Sequence, residues 1–143
     1  MLISQLSVFV ENKSGRMAEI TKVLADNQID IRALSIADTT DYGILRLIVD
    51  KPELAMRTLQ DEGMTVTLTD VIAIKIPDSP GGLHGAVDIL SQNGIGIEYM
   101  YAFVNPCGDS AFVILRVDDN QRALSVLKEN GIEVMKRDEV YSI

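Results

Sequence analysis

Residues 78–85 of this chain read Asp-Ser-Pro-Gly-Gly-Leu-His-Gly, and residues 12–17 read Asn-Lys-Ser-Gly-Arg-Met. Both stretches stand between an alternating apolar run and a run with helical spacing. The same offset pairs further residues without a gap: Leu24 with Leu90, Asn27 with Asn93, Ile29 with Ile95, and Ile31 with Ile97. Because self-similarity at a fixed spacing marks repeated folding units, we predict two domains, 1–70 and 71–143.

The apolar pattern within each half alternates between strand and helix periods. In the first half, an alternating run over 3–10 precedes a helical run over 16–26. A second alternating run, a nearly continuous apolar run over 42–49, a helix that begins near Pro52 and a short β-branched run follow. The second half repeats this order. The prediction is therefore an α+β protein with two ferredoxin-like βαββαβ modules, each an antiparallel sheet with helices on one face.

The end of the chain resembles a third copy of a first strand. Residues 138–143 align with 70–75, where the second half begins. We therefore expect an extra C-terminal strand over about 138–143 that adds to the edge of a sheet. The alternative is a loosely held terminus.

Bulk composition excludes several classes of protein. The chain has 21 acidic and 13 basic residues and a net charge of -8, which argues against nucleic acid and against an anionic membrane surface as partners. Its single cysteine excludes an internal disulfide framework and suits a reducing compartment. Its beginning lacks the pattern of a signal peptide, and no apolar stretch is long enough to span a membrane. These features predict a cytoplasmic protein.

The loop between the first strand and the first helix of each half is the best candidate for a binding site. Adjacent glycines at Gly81 and Gly82 would let a ligand approach the backbone closely. Free N–H groups at a helix start favour a carboxylate, and Asp78 or Asn12 could accept a hydrogen bond from an ammonium group. The combination suits an α-amino acid, although the same residues also form an ordinary turn with a helix cap.

The run from a strand into Asn/Asp-x-x-Gly-x-Leu/Met, followed by a helix that ends in Leu-x-x-x-x-Ile-x-Ile and by a β-hairpin, resembles the ACT domain. The resemblance covers 12–17, 24–31, 78–83 and 90–97, and it is to a stand-alone tandem ACT protein. It implies a non-catalytic regulatory or sensor protein that binds a small amino-acid effector at the seam between two ACT modules. We also expect a homodimer and a regulated enzyme as candidate partner.

The resemblance implies that the loop forms one wall of the site and the start of the second strand forms the other. The expected ligand-binding residues are Asn12, Ser14, Gly15, Met17, Asn27 and Ile29 in the first half, and Asp78, Gly81, Gly82, Leu83, His84, Asn93 and Ile95 in the second. Each second strand continues this wall to Ile31 or Ile97. Both loops depart from the basic-Pro pair that is common before the glycine, so the two sites need not be equivalent.

Catalysis and metal binding have little support in the sequence. His84 and Cys107 are the only histidine and cysteine, so no cluster of metal ligands exists, and neither a catalytic residue nor a cofactor is predicted. Tyr99 and Tyr101 share one face of a predicted strand, where they either line a pocket or pack beneath the helices. The alternative function is a ligand-free protein-interaction or assembly module that binds through exposed strand edges.

Overall fold

The computed structural model describes residues 1–11, 13–38, 41–103 and 108–142, so the predictions that concern Asn12 and Cys107 lie outside the described residues. The chain divides into two compact units. Module 1 contains Ser4–Thr69, and module 2 contains Asp70–Tyr141 together with Met1–Ile3. In the described part of the chain, no helix is both long enough and apolar enough to cross a membrane.

Module 1 confirms the predicted βαββαβ order. Its elements are β1 (Ile3–Glu11), α1 (Arg16–Asp26), β2 (Ile31–Asp38), β3 (Tyr42–Val49), α2 (Pro52–Asp61) and the beginning of β4 (Thr65–Pro77). The strands lie in the order β2-β3-β1-β4, and β3 pairs antiparallel with both of its neighbours. Alternate residues of β1 and β3 and one stripe of each helix form a buried core, to which Leu6, Leu47, Leu24 and Leu59 contribute.

Module 2 repeats this arrangement from the second part of β4. The elements that follow are α3 (Gly82–Gln92), β5 (Ile97–Ala102), β6 (Ser110–Val117), α4 (Asn120–Glu129) and β7 (Glu133–Val134). The strand β6 lies between β4 and β5, and β7 pairs with β4 through Val134 beside Ile74. Ile74, Leu90, Leu115 and Leu127 are fully buried in its core.

All four of these helices end in the same way. Each is followed by a residue with a left-handed backbone: Gln28 (φ 58), Gly63 (φ 84), Gly94 (φ 69) and Gly131 (φ 73). The N–H of the next residue donates to the carbonyl oxygen five positions earlier, at 2.9 to 3.1 Å. This is the Schellman motif, and it fixes the direction in which the chain leaves the helix. Gln28 is the one non-glycine among them.

The prediction of a strand over 138–143 is wrong. The tail instead forms a short helix, α5 (Arg137–Tyr141), in which the Val140 N–H donates to the Lys136 carbonyl oxygen at 3.1 Å. The Glu139 carboxylate accepts from the Lys136 N–H at 3.1 Å, and the Arg137 Nε donates to the Leu2 carbonyl oxygen at 2.8 Å. Val140 is fully buried. Six residues are too few for periodicity to distinguish a helix from a strand, and these contacts decide it.

Candidate functional site

The glycine that precedes the first helix has the same backbone conformation in both modules. Gly15 precedes α1 with φ 91 and ψ -12, and Gly81 precedes α3 with φ 87 and ψ -8. The carbonyl oxygen of each glycine accepts the first hydrogen bond of its helix, from the Glu19 N–H at 3.0 Å and from the Gly85 N–H at 3.1 Å. The left-handed conformation explains why both positions are glycine, since it is costly for residues with a Cβ atom.

Both helices begin with backbone N–H groups that have no side-chain acceptor among the described residues. The residues at the second and third positions of α1 and α3 are Met17, Ala18, Leu83 and His84. No side chain in the described part of the chain accepts a hydrogen bond from their N–H groups. In α4, by contrast, the Asp119 carboxylate accepts from the Arg122 N–H at 3.1 Å. The starts of α1 and α3 can therefore donate to an anionic group, which the helix dipole also favours.

The three glycines of the two loops differ in what surrounds them. A Cβ atom added to Gly15 or Gly81 would meet nothing within 4 Å. A Cβ atom added to Gly82 would lie 2.1 Å from the carbonyl oxygen of Pro77. The close approach of its own chain thus explains why Gly82 is a glycine, and its contact with a ligand stays a prediction. Gly15 and Gly81 do face open space.

The predicted polar side chains of the loops lie on the surface. Ser14, Asp78 and His84 are exposed, and the Asp78 N–H donates to the Asp109 carbonyl oxygen at 2.8 Å. Met17 is half-buried against the core of module 1, whereas its counterpart Leu83 is exposed. The two loops therefore share a left-handed glycine but present different apolar side chains.

The residues predicted for the second wall serve their own modules. The side-chain amides of Asn27 and Asn93 each donate to the carbonyl oxygen four residues earlier at 2.8 Å. Asn130, for which no ligand role is predicted, makes the same bond at the end of α4. Ile29 and Ile95 are buried in the two cores, and Ile31 and Ile97 pack against them. The amides thus cap helices, and the isoleucines anchor the starts of β2 and β5.

Two aspartates that sequence reasoning missed hold the starts of β2 and β5. The Asp50 carboxylate accepts from the Asp30 N–H at 2.9 Å, and the Asp50 N–H donates to the Asp30 carbonyl oxygen at 3.2 Å. Asp118 and Gly96 form the same reciprocal pair, with both distances 3.1 Å. The repeat itself carried the signal, because Asp50 and Asp118 occupy equivalent positions.

A cavity of about 270 Å³ opens beside the loop of module 1. Glu11 and Arg16, which flank that loop in the sequence, supply its charged lining. The other lining residues are Phe9, Val10, Ile20, Tyr42, Gly63, Met64 and Thr65. None of these residues was predicted to bind a ligand. The sequence feature that could have predicted this site is the pair of opposite charges on the two sides of the loop.

The charges at this cavity form a short chain of ion pairs. The Arg16 guanidinium lies 2.9 Å from the Glu19 carboxylate and 3.7 Å from that of Glu11, which also contacts the Lys13 ammonium at 2.8 Å. The hydrogen bond and the charge of Lys13 lower the pKa of the Glu11 carboxyl, and Arg16 adds to this. The hydrogen bond and the charge of Glu19 raise the pKa of Arg16. Both Glu11 and Arg16 are therefore charged at neutral pH.

Other candidate chemistry is not assembled in the described residues. Within them, no group of three or more His, Cys, Asp or Glu side chains could hold a metal ion. Tyr99 and Tyr101 stack on each other, with ring centroids 6.5 Å apart. The register places Tyr99 beside Arg116, whose neighbour Leu115 faces the helices. Because neighbouring residues of a strand point to opposite faces, Tyr99 lies on the face of the sheet away from the helices. The interpretation that the tyrosines pack beneath the helices is therefore wrong.

The fold and the repeated loop agree with a family match over residues 1–143 to the ACT domain pair, and the chain belongs to that family. The resemblance to ACT domains inferred from the sequence is therefore confirmed. No curated protein matches the sequence.

Solved structures show the same fold. The crystal structure of protein BT0572 from Bacteroides thetaiotaomicron has 41% sequence identity and a TM-score of 0.94, and the match covers 100% of this chain and 98% of that chain. The ligand-free regulatory subunit of aspartate kinase from Thermus thermophilus has 16% identity and a TM-score of 0.67, with 90% and 93% covered. The corresponding subunit from Thermus flavus has 15% identity and a TM-score of 0.61, with 88% and 90% covered. At such low identity these two likenesses concern the fold alone.

Proposed function

We propose that this chain is a non-catalytic regulatory or sensor protein that binds an amino acid as a small-molecule effector at one or both of its glycine loops. The observation that supports this most directly is the loop that occurs twice, at Gly15 and at Gly81, with the same left-handed backbone. Each loop presents helix N–H groups without a side-chain acceptor in the described residues. Such groups bind carboxylates well, because the donors and the helix dipole are already oriented.

A regulatory effect requires that a partner distinguish the ligand-bound state from the free state. A ligand carboxylate bound to the loop amides would hold the loop and the first turn of the helix in one arrangement. The two Thermus proteins that share this fold are regulatory subunits of aspartate kinase, and we propose a regulatory role for this chain by analogy with them. The site at the seam between ACT modules, the homodimer, the regulated enzyme and the cytoplasmic location stay predictions.

Thermal unfolding in the presence of each of the twenty amino acids tests the proposal. A ligand at 100 times its dissociation constant should stabilise the folded chain by about 2.7 kcal/mol. The expected result is a raised melting temperature with one chemical class of amino acid. No change with any of the twenty would refute amino-acid binding.

Exposed apolar residues on two strands favour the second candidate, a ligand-free assembly module. Leu34 and Ile36 of β2 are 43% and 49% exposed, and Met100 of β5, the counterpart of Leu34, is 43% exposed. The register places Leu34 beside Leu47 and Met100 beside Leu115. Apolar residues along a strand at the end of the sheet order are suited to pairing with another protein.

Sedimentation of the full chain distinguishes this second candidate from amino-acid binding. If β2 is an assembly surface, the double variant Leu34→Ser and Ile36→Ser should dissociate an oligomer of the native chain without any added amino acid. A native chain that sediments as a monomer at high concentration would count against self-assembly through this strand.

A further inference from the structure

We propose that module 1 alone binds the effector, and that the effector is an α-amino acid with a large apolar side chain. Glu11 would hold its ammonium group, Arg16 would hold its carboxylate together with the amides of the Gly15 loop, and the cavity beside them would hold its side chain. This inference rests on the proposed function, and it names the ligand class and the module that recognises it.

The two charges match the two ends of a zwitterion. The nearest atoms of Arg16 and Glu11, Nη2 and Oε1, are 3.7 Å apart, which is too far for a hydrogen bond. A guanidinium has five N–H donors and can grip a carboxylate with two of them, and the contact with Glu19 engages Nη1. The Glu11 carboxylate offers acceptors to an ammonium group. An α-amino acid carries both groups on its α-carbon, so they can reach Arg16 and Glu11 at the same time.

The remaining lining of the cavity is suited to an apolar side chain. Phe9 and Tyr42 are 44% and 47% exposed, and their ring centroids lie 6.4 Å apart. Ile20 and Met64 also line the cavity. Covering large exposed rings is favourable, and a methionine adapts to the shape of its neighbour. Pockets that bind drug-sized ligands have volumes of roughly 300–1,000 Å³. The cavity, at about 270 Å³, lies just below this range, and an amino acid is smaller than a drug-sized ligand, so the cavity has room for one.

Module 2 lacks this chemistry at the equivalent positions. Pro77 stands in place of Glu11, Gly82 in place of Arg16 and Lys75 in place of Phe9. The Lys75 ammonium lies 3.8 Å from the Glu133 carboxylate. Neither charge of the proposed pair is present in module 2, so we expect one ligand per chain.

Calorimetric titration of the full chain with leucine and phenylalanine tests the ligand class. Both should bind with one site per chain, while glycine and aspartate bind at least about tenfold more weakly, because they leave the apolar surface uncovered. Isocaproate, which is leucine without the ammonium group, and isoamylamine, which lacks the carboxylate, should each also lose at least about tenfold in affinity.

Two variants then assign the charges. Arg16→Gln should weaken leucine binding at least about tenfold and remove the preference for leucine over isoamylamine. Glu11→Gln should weaken it similarly and remove the preference for leucine over isocaproate. The control is Arg122→Gln, which neutralises an exposed arginine in the first turn of α4 and should leave the affinity unchanged. Unchanged melting temperatures of the unliganded variants would show that all three fold.

The outcomes separate this inference from the proposed function. Binding of glycine or aspartate but neither apolar amino acid overturns the ligand class and leaves amino-acid sensing standing. Leucine binding that survives Arg16→Gln, or that shows two sites per chain, overturns the assignment to module 1. Failure of all twenty amino acids to bind refutes both proposals.

Discussion

Gly82 lies so close to Pro77 that a Cβ atom on the glycine would be 2.1 Å from the proline carbonyl oxygen. The equivalent residues of module 1 are Arg16 and Glu11, whose side chains approach to 3.7 Å. One pair of positions therefore excludes a side chain in module 2 and carries an ion pair in module 1. The repeat preserves the left-handed glycine of the loop while the residues beside it diverge, and this is why we expect the two loops to differ in ligand binding.

Gly82→Ala should destabilise module 2. The added methyl group meets a backbone oxygen, which cannot move without shifting the end of β4, and overpacking of this kind costs about 1–3 kcal/mol. Urea denaturation measures the loss. The matched control is Gly85→Ala in the same helix, where a Cβ atom meets nothing within 4 Å. That substitution should stabilise the protein by roughly 0.5–1 kcal/mol, and a Gly82→Ala variant that is equally stable would contradict the geometry.

Gly15→Ala and Gly81→Ala should have the same effect on stability and different effects on binding. Both glycines have a left-handed backbone in open space, so each alanine should cost about 1–2 kcal/mol through backbone strain alone. Only the change at Gly15 lies beside the cavity of module 1. Titration with leucine should show weaker binding by Gly15→Ala and an unchanged affinity for Gly81→Ala. Equal loss in both variants would argue for two functional loops.

Gln28→Gly should stabilise the protein by about 1 kcal/mol, because a glutamine with φ 58 bears a strain that glycine does not. The converse change, Gly94→Ala, places a side chain in the equivalent backbone conformation of module 2, at φ 69. It should cost a similar amount, since no contact within 4 Å adds to the strain. Thermal unfolding of the two variants should therefore give shifts of opposite sign.

Leucine affinity should stay constant as the pH falls from neutral and should decline only below 4.5, the ordinary pKa of a glutamate. The hydrogen bond and charge of Lys13 lower the pKa of Glu11, so its carboxylate persists to a more acidic pH. The contribution of Glu11 is present above that lowered pKa and is lost as the pH falls through it. Titrations at several pH values measure the profile, and Glu11→Gln should remove the acidic decline. A decline that begins near neutral pH would contradict the role of Glu11.

The sequence predicted the fold because the same pattern of apolar residues occurs independently in each half of the chain. Alternation over 3–10 and helical spacing over 16–26 each gave the correct element, and the second half repeated them. The prediction for residues 138–143 was wrong because so short a segment can form either one helical turn or one short strand. Its helix depends on the contact of Arg137 with Leu2, which lies at the opposite end of the chain. The periodicity of neighbouring residues cannot predict a contact between residues so far apart in the sequence.

The candidate site was predictable in its backbone and not in its side chains. Gly15 and Gly81 have the left-handed conformation that a loop glycine indicates. Asn27 and Asn93 matched the family pattern, yet their side chains cap the helices that they end. Glu11 and Arg16 escaped notice because a charge that follows a strand or begins a helix is common on protein surfaces. Their shared cavity also involves Tyr42 and Met64, which are distant in sequence.

The amino-acid sequence by itself determined the duplication, the order of strands and helices and the positions of the loop glycines, because backbone preferences and apolar periodicity are local properties. Only the tertiary structure decided that Gly82 serves its own chain and that Glu11 and Arg16 border one apolar cavity. Both results depend on distances between residues that the folded sheet and helices bring together. A local sequence pattern does not predict such distances.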